Sequence, residues 1–339
     1  MIHKIKMVLL IIIVGAQLTI IYIVCRSIYQ NKKLNKDVLG AISISPINRE
    51  NLIFPPDAQL KYYYESSPSA TKQYNPIWLG YTATYTINND SLNERFNYTV
   101  EKPKNVFRIV TLGDSFTFGL FVNTADNWTE RLEDKLNKNI NCVNINKFEV
   151  INLGEQGYDV QYIAHKYALR GVKYNPDLII WFESGSGFDR MVEFMKSYID
   201  KYDKTLTLKE RDDYKLKGDY YPAWTLAFKE LHKTYSEERI LDQVGEWWNN
   251  FFQIRGNVPV LITTFENLSS QNKAKLKLWT KDQPNVYVMA NIKNLSPADR
   301  LPDGHPNVHG YELIAQDTFS PLLHSRLIPC ESSQSGNLQ

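Results

Sequence analysis

Little in this chain invites metal or polyanion chemistry. Its 339 residues include only three cysteines and six histidines, and the formal net charge is +2. The cysteines lack zinc-type spacing, and no P-loop occurs. Without a long basic run there is no electrostatic footprint for nucleic acid, so none is expected as a partner. No metal or organic cofactor is implied. The length suits one large domain or two small ones.

What the chain does have is one long apolar run. Residues 7–25 (MVLLIIIVGAQLTIIYIVC) carry no charge. A helix of that length spans roughly the hydrocarbon core of a bilayer. The alternative is a cleaved signal peptide. No small-x-small cleavage site follows the run, and Val24 before Cys25 does not suit a lipoprotein site. Residues 1–6 are therefore read as a short N-terminal segment and 7–25 as a transmembrane anchor. Arg26, Lys32, Lys33 and Lys36 outnumber Lys4 and Lys6, which taken literally favours a cytoplasmic domain. A short N-terminus before a single span commonly serves as an export anchor, and we expect the domain outside the cytoplasm. Cys142 and Cys330 could bridge in an oxidising compartment, but sequence does not show their proximity.

Residues 26–76 read as a polar, proline-containing stalk and lead-in segment. Residues 77–102 place β-formers on both sides of Asn88-Asn89-Asp90-Ser91, which predicts a short hairpin. From Phe107 strands and helices alternate. Strands are predicted over 107–112, 149–153, 177–182, 258–263 and 286–289, and helices over 127–138, 160–170, 240–252, 270–280 and 308–323. Val308, Tyr311, Ala315, Phe319 and Leu322 make the apolar stripe of the last helix, and Pro321 is expected to break its final turn. This alternation predicts an α/β fold with a mostly parallel sheet covered on both faces, over residues 77–330. Residues 190–239 interrupt the rhythm with a Tyr-, Lys- and Asp-rich insert. It is read either as a helical cap with its own small core or as a substrate lid. The tail 331–339 is polar and expected to be disordered.

Chemistry concentrates at two places. Gly113-Asp114-Ser115-Phe116 follows the strand at 107–112, so glycine allows a tight turn and Ser115 opens the next helix. A free hydroxyl is a poor nucleophile and needs a base. Asp303-Gly304-His305-Pro306-Asn307 supplies one, with an acid two residues away on the same loop. The other histidines have no such partner nearby in sequence. Asp114 is read as shaping the turn, and Pro306 and Asn307 as helix-entry residues. Together the two segments suggest a hydrolase or acyl-transfer enzyme.

Four segments in order, RIVTLGDSFTFG (108–119), VINLGEQGYDVQ (150–161), PDLIIWFESGSGFD (176–189) and DGHPNVHGYELIA (303–315), resemble the SGNH hydrolase superfamily, which contains the GDSL-type esterases. The resemblance covers about residues 77–325 and implies a three-layer α/β/α sandwich, flavodoxin-like in outline. It implies Ser115 as nucleophile, His305 as base and Asp303 as the acid that orients it. The Ser115 and Gly157 amides are implied as oxyanion donors, with Gly154 serving the turn. The family's third donor, an asparagine before an aspartate, is missing. If Asp189 stands at that aspartate, Phe188 or, with a shift, Gly187 stands in the asparagine's place. The Ser186 hydroxyl is the candidate substitute.

These readings lead to an expected serine esterase acting on O-acyl, chiefly O-acetyl, groups of a glycan or lipid-linked sugar. The rivals are an O-acyltransferase with the same triad and a non-catalytic glycan-binding protein on the same fold.

Overall fold

The structure, a computed structural model, describes residues 52–53, 60–210, 222–324 and 327–330. The predicted anchor at 7–25, most of the stalk and the tail at 331–339 lie outside the described residues. Among those described, no helix is long and apolar enough to cross a membrane.

Five parallel strands form the central sheet in the order β6-β5-β7-β8-β9. They are β5 (Val106–Gly113), β6 (Lys147–Asn152), β7 (Leu178–Glu183), β8 (Val260–Phe265) and β9 (Val286–Ile292). β5 and β7 are buried nearly end to end, as a sheet covered on both faces requires. On one face α2 (Trp128–Asn139) and α8 (Val308–His324) share a core with Ile109, Ile180 and Phe182. On the other, Trp181 packs on Trp248 and Phe251 of α6 (Glu237–Arg255). Alternate residues of one strand thus feed two cores, and the predicted α/β/α layering holds. The chain leaves β5 for β6 on one side and returns to β7 on the other. The strand order reverses there, and such a switch point opens a crevice beyond the strands' carboxyl ends.

Several predicted boundaries move. The hairpin within 77–102 does not form. β4 (Ala83–Thr86) pairs antiparallel with the earlier β3 (Thr71–Tyr74). The turn at Asn88 is real, since its side chain accepts from the Asp90 and Leu92 amides. Beyond a single Ile87–Asn93 bridge, the residues after the turn are committed elsewhere. Asn93 donates to the Phe118 carbonyl, and Glu94 accepts from the Asn152 amide. The stalk assignment also ends too late. Tyr62, Tyr63 and Tyr64 are buried. Tyr63 donates its hydroxyl hydrogen to Glu65 at 2.7 Å and Tyr64 donates to the Gln156 carbonyl at 2.6 Å. Glu65 also pairs with Arg170, and it belongs to β2 (Glu65–Ser66), which pairs with β1 (Leu52–Ile53). The globular domain therefore includes residues 60–76.

Pro321 does not end its helix, which runs on to His324. Proline removes the N–H that would bond the carbonyl four residues earlier. Here the Asp317 carbonyl accepts from Asn291 Nδ2 at 2.7 Å instead. Val308 stands outside the buried stripe, at 37% exposure. Cys142 and Cys330 form a disulfide joining the loop after α2 to the segment after α8.

The β6 edge is closed by carboxylates. Glu133 of α2 accepts from the Val150 amide at 2.7 Å, and Glu94 accepts from the Asn152 amide. Burial pushes Glu133 up to about 7 and Glu94 well above the usual range. A carboxyl raised in the folded state adds stability that is full below its unfolded value and lost as pH rises through its folded value. A shift of this size in Glu133 is worth about 3 kcal/mol. We expect the melting temperature to be at least about 5 °C higher at pH 5 than at pH 8. Glu133→Gln, which keeps an acceptor for Val150, should flatten part of that dependence in thermal unfolding followed by circular dichroism.

Candidate active site

The crevice at the switch point is built from four chain segments. The first is the turn from β5 into the short helix α1 (Ser115–Phe118). Gly113 permits it, because a Cβ there would lie 2.2 Å from Thr117 Oγ1 and 2.9 Å from the Phe182 carbonyl oxygen. Asp114 then caps the helix by accepting from the Phe116 amide at 3.0 Å, which is the turn-shaping role expected. Ser115 follows, half-buried, at the carboxyl end of the sheet.

The second segment is the loop before α8. Arg300 and Pro306 bridge, and the Leu301 amide donates to the His305 carbonyl at 2.7 Å. Arg300 Nη1 donates to the Gly304 carbonyl at 2.8 Å. Asn307 accepts from the Gly310 amide, the helix-entry role expected of it. The loop thereby holds Asp303 and His305 towards α1. Asp303 Oδ1 accepts from the His305 backbone amide at 3.1 Å, and Oδ2 lies 2.7 Å from Nδ1 of the ring. On the other side of the ring, Nε2 is 2.8 Å from Ser115 Oγ. This last contact spans 190 residues of sequence. The rings of Phe116 and Phe121 lie against the imidazole, with centroids 5.0 and 5.3 Å away. Asp303 is 8% exposed and His305 19%, so the pair is shielded while the serine edge stays accessible.

The three side chains lie in one line of contacts, Asp303 to His305 to Ser115. No protein-family model and no curated protein matches the chain. Solved structures similar to it include a member of the lipolytic protein G-D-S-L family from Veillonella parvula (15% identity, 65% of this chain, 100% of that one, TM-score 0.38). Another is a Clostridium thermocellum family 3 carbohydrate esterase (13% identity, 63% and 94% coverage, TM-score 0.37). A third is the acetyl xylan esterase AlAXEase (13% identity, 64% and 100% coverage, TM-score 0.37).

The third segment follows β6. Gly157 has φ +70°, a left-handed conformation that favours glycine. Gly154 does not serve the turn as expected; it allows close approach. A Cβ there would sit 2.3 Å from the Phe118 amide nitrogen and 2.5 Å from the Thr117 carbonyl carbon. The β6 loop is thus seated directly on the back of α1.

The fourth segment, after β7, corrects the expectation for Ser186. Its hydroxyl donates to Asp114 Oδ2 at 2.5 Å, and Ser184 donates to the same oxygen at 2.7 Å. A hydroxyl has one hydrogen to give, and here it is spent on Asp114. Neither alternative position supplies a donor. Phe188 is buried and stacks on Trp279, and a side chain at Gly187 would begin 2.3 Å from Glu183 Oε2. Glu183 Oε1 instead accepts from the Gly185 and Gly187 amides at 3.0 and 2.9 Å. Burial, followed by the neighbouring Asp114 charge, pushes the Glu183 carboxyl up to about 7, against the lowering effect of those amides.

One feature escaped the sequence reading. His309 pairs with Asp299, Nδ1 to Oδ1 at 2.6 Å, ten residues apart and outside the triad. Trp224 of α5 (Pro222–Thr234) comes from the insert and places its ring edge 3.6 Å from where a Gly157 Cβ would stand. The insert also carries α4 (Val192–Asp203).

Proposed function

We propose that this chain is a serine esterase of the SGNH type that removes O-acyl groups, acetyl above all, from a carbohydrate. The observation that carries the reading is the continuous line from Asp303 through His305 to Ser115, at 2.7 and 2.8 Å. Nε2 takes the Ser115 proton as Oγ attacks the ester carbonyl, and returns it to the departing sugar oxygen. Asp303 keeps the Nδ1 hydrogen facing itself and stabilises the imidazolium that forms. The Ser115 and Gly157 amides receive the oxyanion, an interaction worth about 3 kcal/mol per donor in other acyl-transfer enzymes. Water then attacks the acyl-serine by the same proton path in reverse.

We further propose that residues 7–25 anchor the domain in a membrane and that the domain lies outside the cytoplasm. The Cys142–Cys330 bridge supports an oxidising compartment.

The test is labelling of the full chain by a fluorophosphonate probe, followed by product analysis on an acetylated oligosaccharide. Labelling that disappears in Ser115→Ala, with release of free acetate, is the expected result. Absence of serine-dependent labelling would leave a sugar-binding protein without catalysis. Acetyl passed to a sugar hydroxyl faster than to water would make it a transferase.

A further inference from the structure

Trp224 carries more than a contact with Gly157. It is half-buried, and two cations lie over its ring. Lys196 Nζ stands 5.5 Å from the ring centroid and Arg190 Cζ 5.3 Å. Such contacts are attractive and fix the indole in place. The two cations differ in setting. Lys196 is buried, at 5% exposure, whereas Arg190 is half-exposed on the loop leading into α4. Among the described residues Arg190 makes no ion pair. Three carboxylates feel its charge, Asp159, Glu183 and the adjacent Asp189, and the first two are occupied by backbone amides. Asp159 accepts from Val192 and Tyr162, and Glu183 from Gly185 and Gly187. A guanidinium held on a ring face still has its N–H donors to offer, and their fork matches planar anions.

We infer that Trp224 and Arg190 form a subsite for an anionic sugar residue beside the scissile ester. The indole edge borders the glycine assigned to the oxyanion. A ring in van der Waals reach of that glycine therefore lies within one sugar unit of the reacting carbonyl. The indole packs against that sugar, and Arg190 bonds its carboxylate or phosphate. This rests on the esterase reading only for the identity of the ester; the subsite itself binds with or without turnover.

The test uses the full chain carrying Ser115→Ala, with binding followed by isothermal titration. The probes are an acetylated oligogalacturonate, the same oligomer with its carboxylates methyl-esterified, and glucose 6-phosphate. The acid oligomer should bind at least about tenfold more tightly than its ester, a difference of about 1.4 kcal/mol. Adding Arg190→Ala should erase that preference, and Arg190→Lys should restore part of it. Trp224→Ala should weaken acid and ester alike. Glucose 6-phosphate binding through Arg190 in place of the oligogalacturonate would assign the anion as phosphate. Equal binding of acid and ester, a preference that survives Arg190→Ala, or no sugar binding at all would overturn the subsite. Failure of the esterase reading would show separately, as absent fluorophosphonate labelling with sugar binding intact.

Discussion

Ser115→Ala is expected to lower kcat for 4-nitrophenyl acetate by about 10⁴-fold or more, with KM little changed. The proposed nucleophile is lost, and no other hydroxyl lies within reach of His305 Nε2 among the described contacts. Asp303→Asn should cost a similar factor, about 10⁴, for a different reason. The Asp303 carboxylate accepts at both oxygens, from the His305 amide and towards Nδ1. A carboxamide has only one oxygen. If that oxygen stays on the backbone amide, its NH₂ faces Nδ1 and selects the ring tautomer protonated at Nε2. That tautomer cannot take the serine proton. Retained fluorophosphonate labelling in Asp303→Asn at the wild-type rate would remove aspartate from the mechanism. Equal kcat in Ser115→Ala would remove the triad altogether.

How much of this was legible beforehand depends on how local the signal is. The β5 turn and the Asp303–His305 loop each carry their chemistry within five residues, so both could be read in place. The parallel sheet was equally visible, because strands covered on both faces are continuous apolar runs such as Leu178–Phe182. The misplaced elements are those whose partners are remote. Asn88 does make its turn, but Asn93 and Glu94 bond to Phe118 and Asn152, 25 and 58 residues away, and no alternation marks them as non-strand. Tyr62–Tyr64 looked like linker because a run of tyrosines has no period. The Tyr62 and Tyr64 amides and the Tyr64 hydroxyl instead find partners some 90 to 100 residues later. Pro321 looked like a helix stop because the group that accommodates it, Asn291, sits on a different strand. The Ser186 expectation failed for the same reason. Two carboxylates, Asp114 and Glu183, occupy the donors of the β7 loop, and only the second adjoins that loop in sequence.

Gly154→Ala should be the most damaging substitution outside the triad. Its added methyl would meet main-chain atoms, Phe118 N at 2.3 Å and Thr117 C at 2.5 Å, and main chain cannot swing aside as a side chain can. Gly154 is not in a left-handed conformation, so the penalty comes from crowding. Either the β6 loop or α1 must move by about an ångström to restore ordinary contact, and Ser115 is the first residue of α1. A displacement of that size in a reacting group costs about 10²-fold in rate, and overpacking costs about 1–3 kcal/mol in stability. Gly157→Ala provides the contrast. Its methyl meets only the Trp224 ring edge, at an ordinary 3.6 Å, and its penalty comes from φ +70°. The expected pattern is a larger fall in kcat for Gly154→Ala than for Gly157→Ala, measured on 4-nitrophenyl acetate beside each variant's melting temperature. A Gly154→Ala enzyme with wild-type kcat would show that the β6 loop does not set the position of the serine.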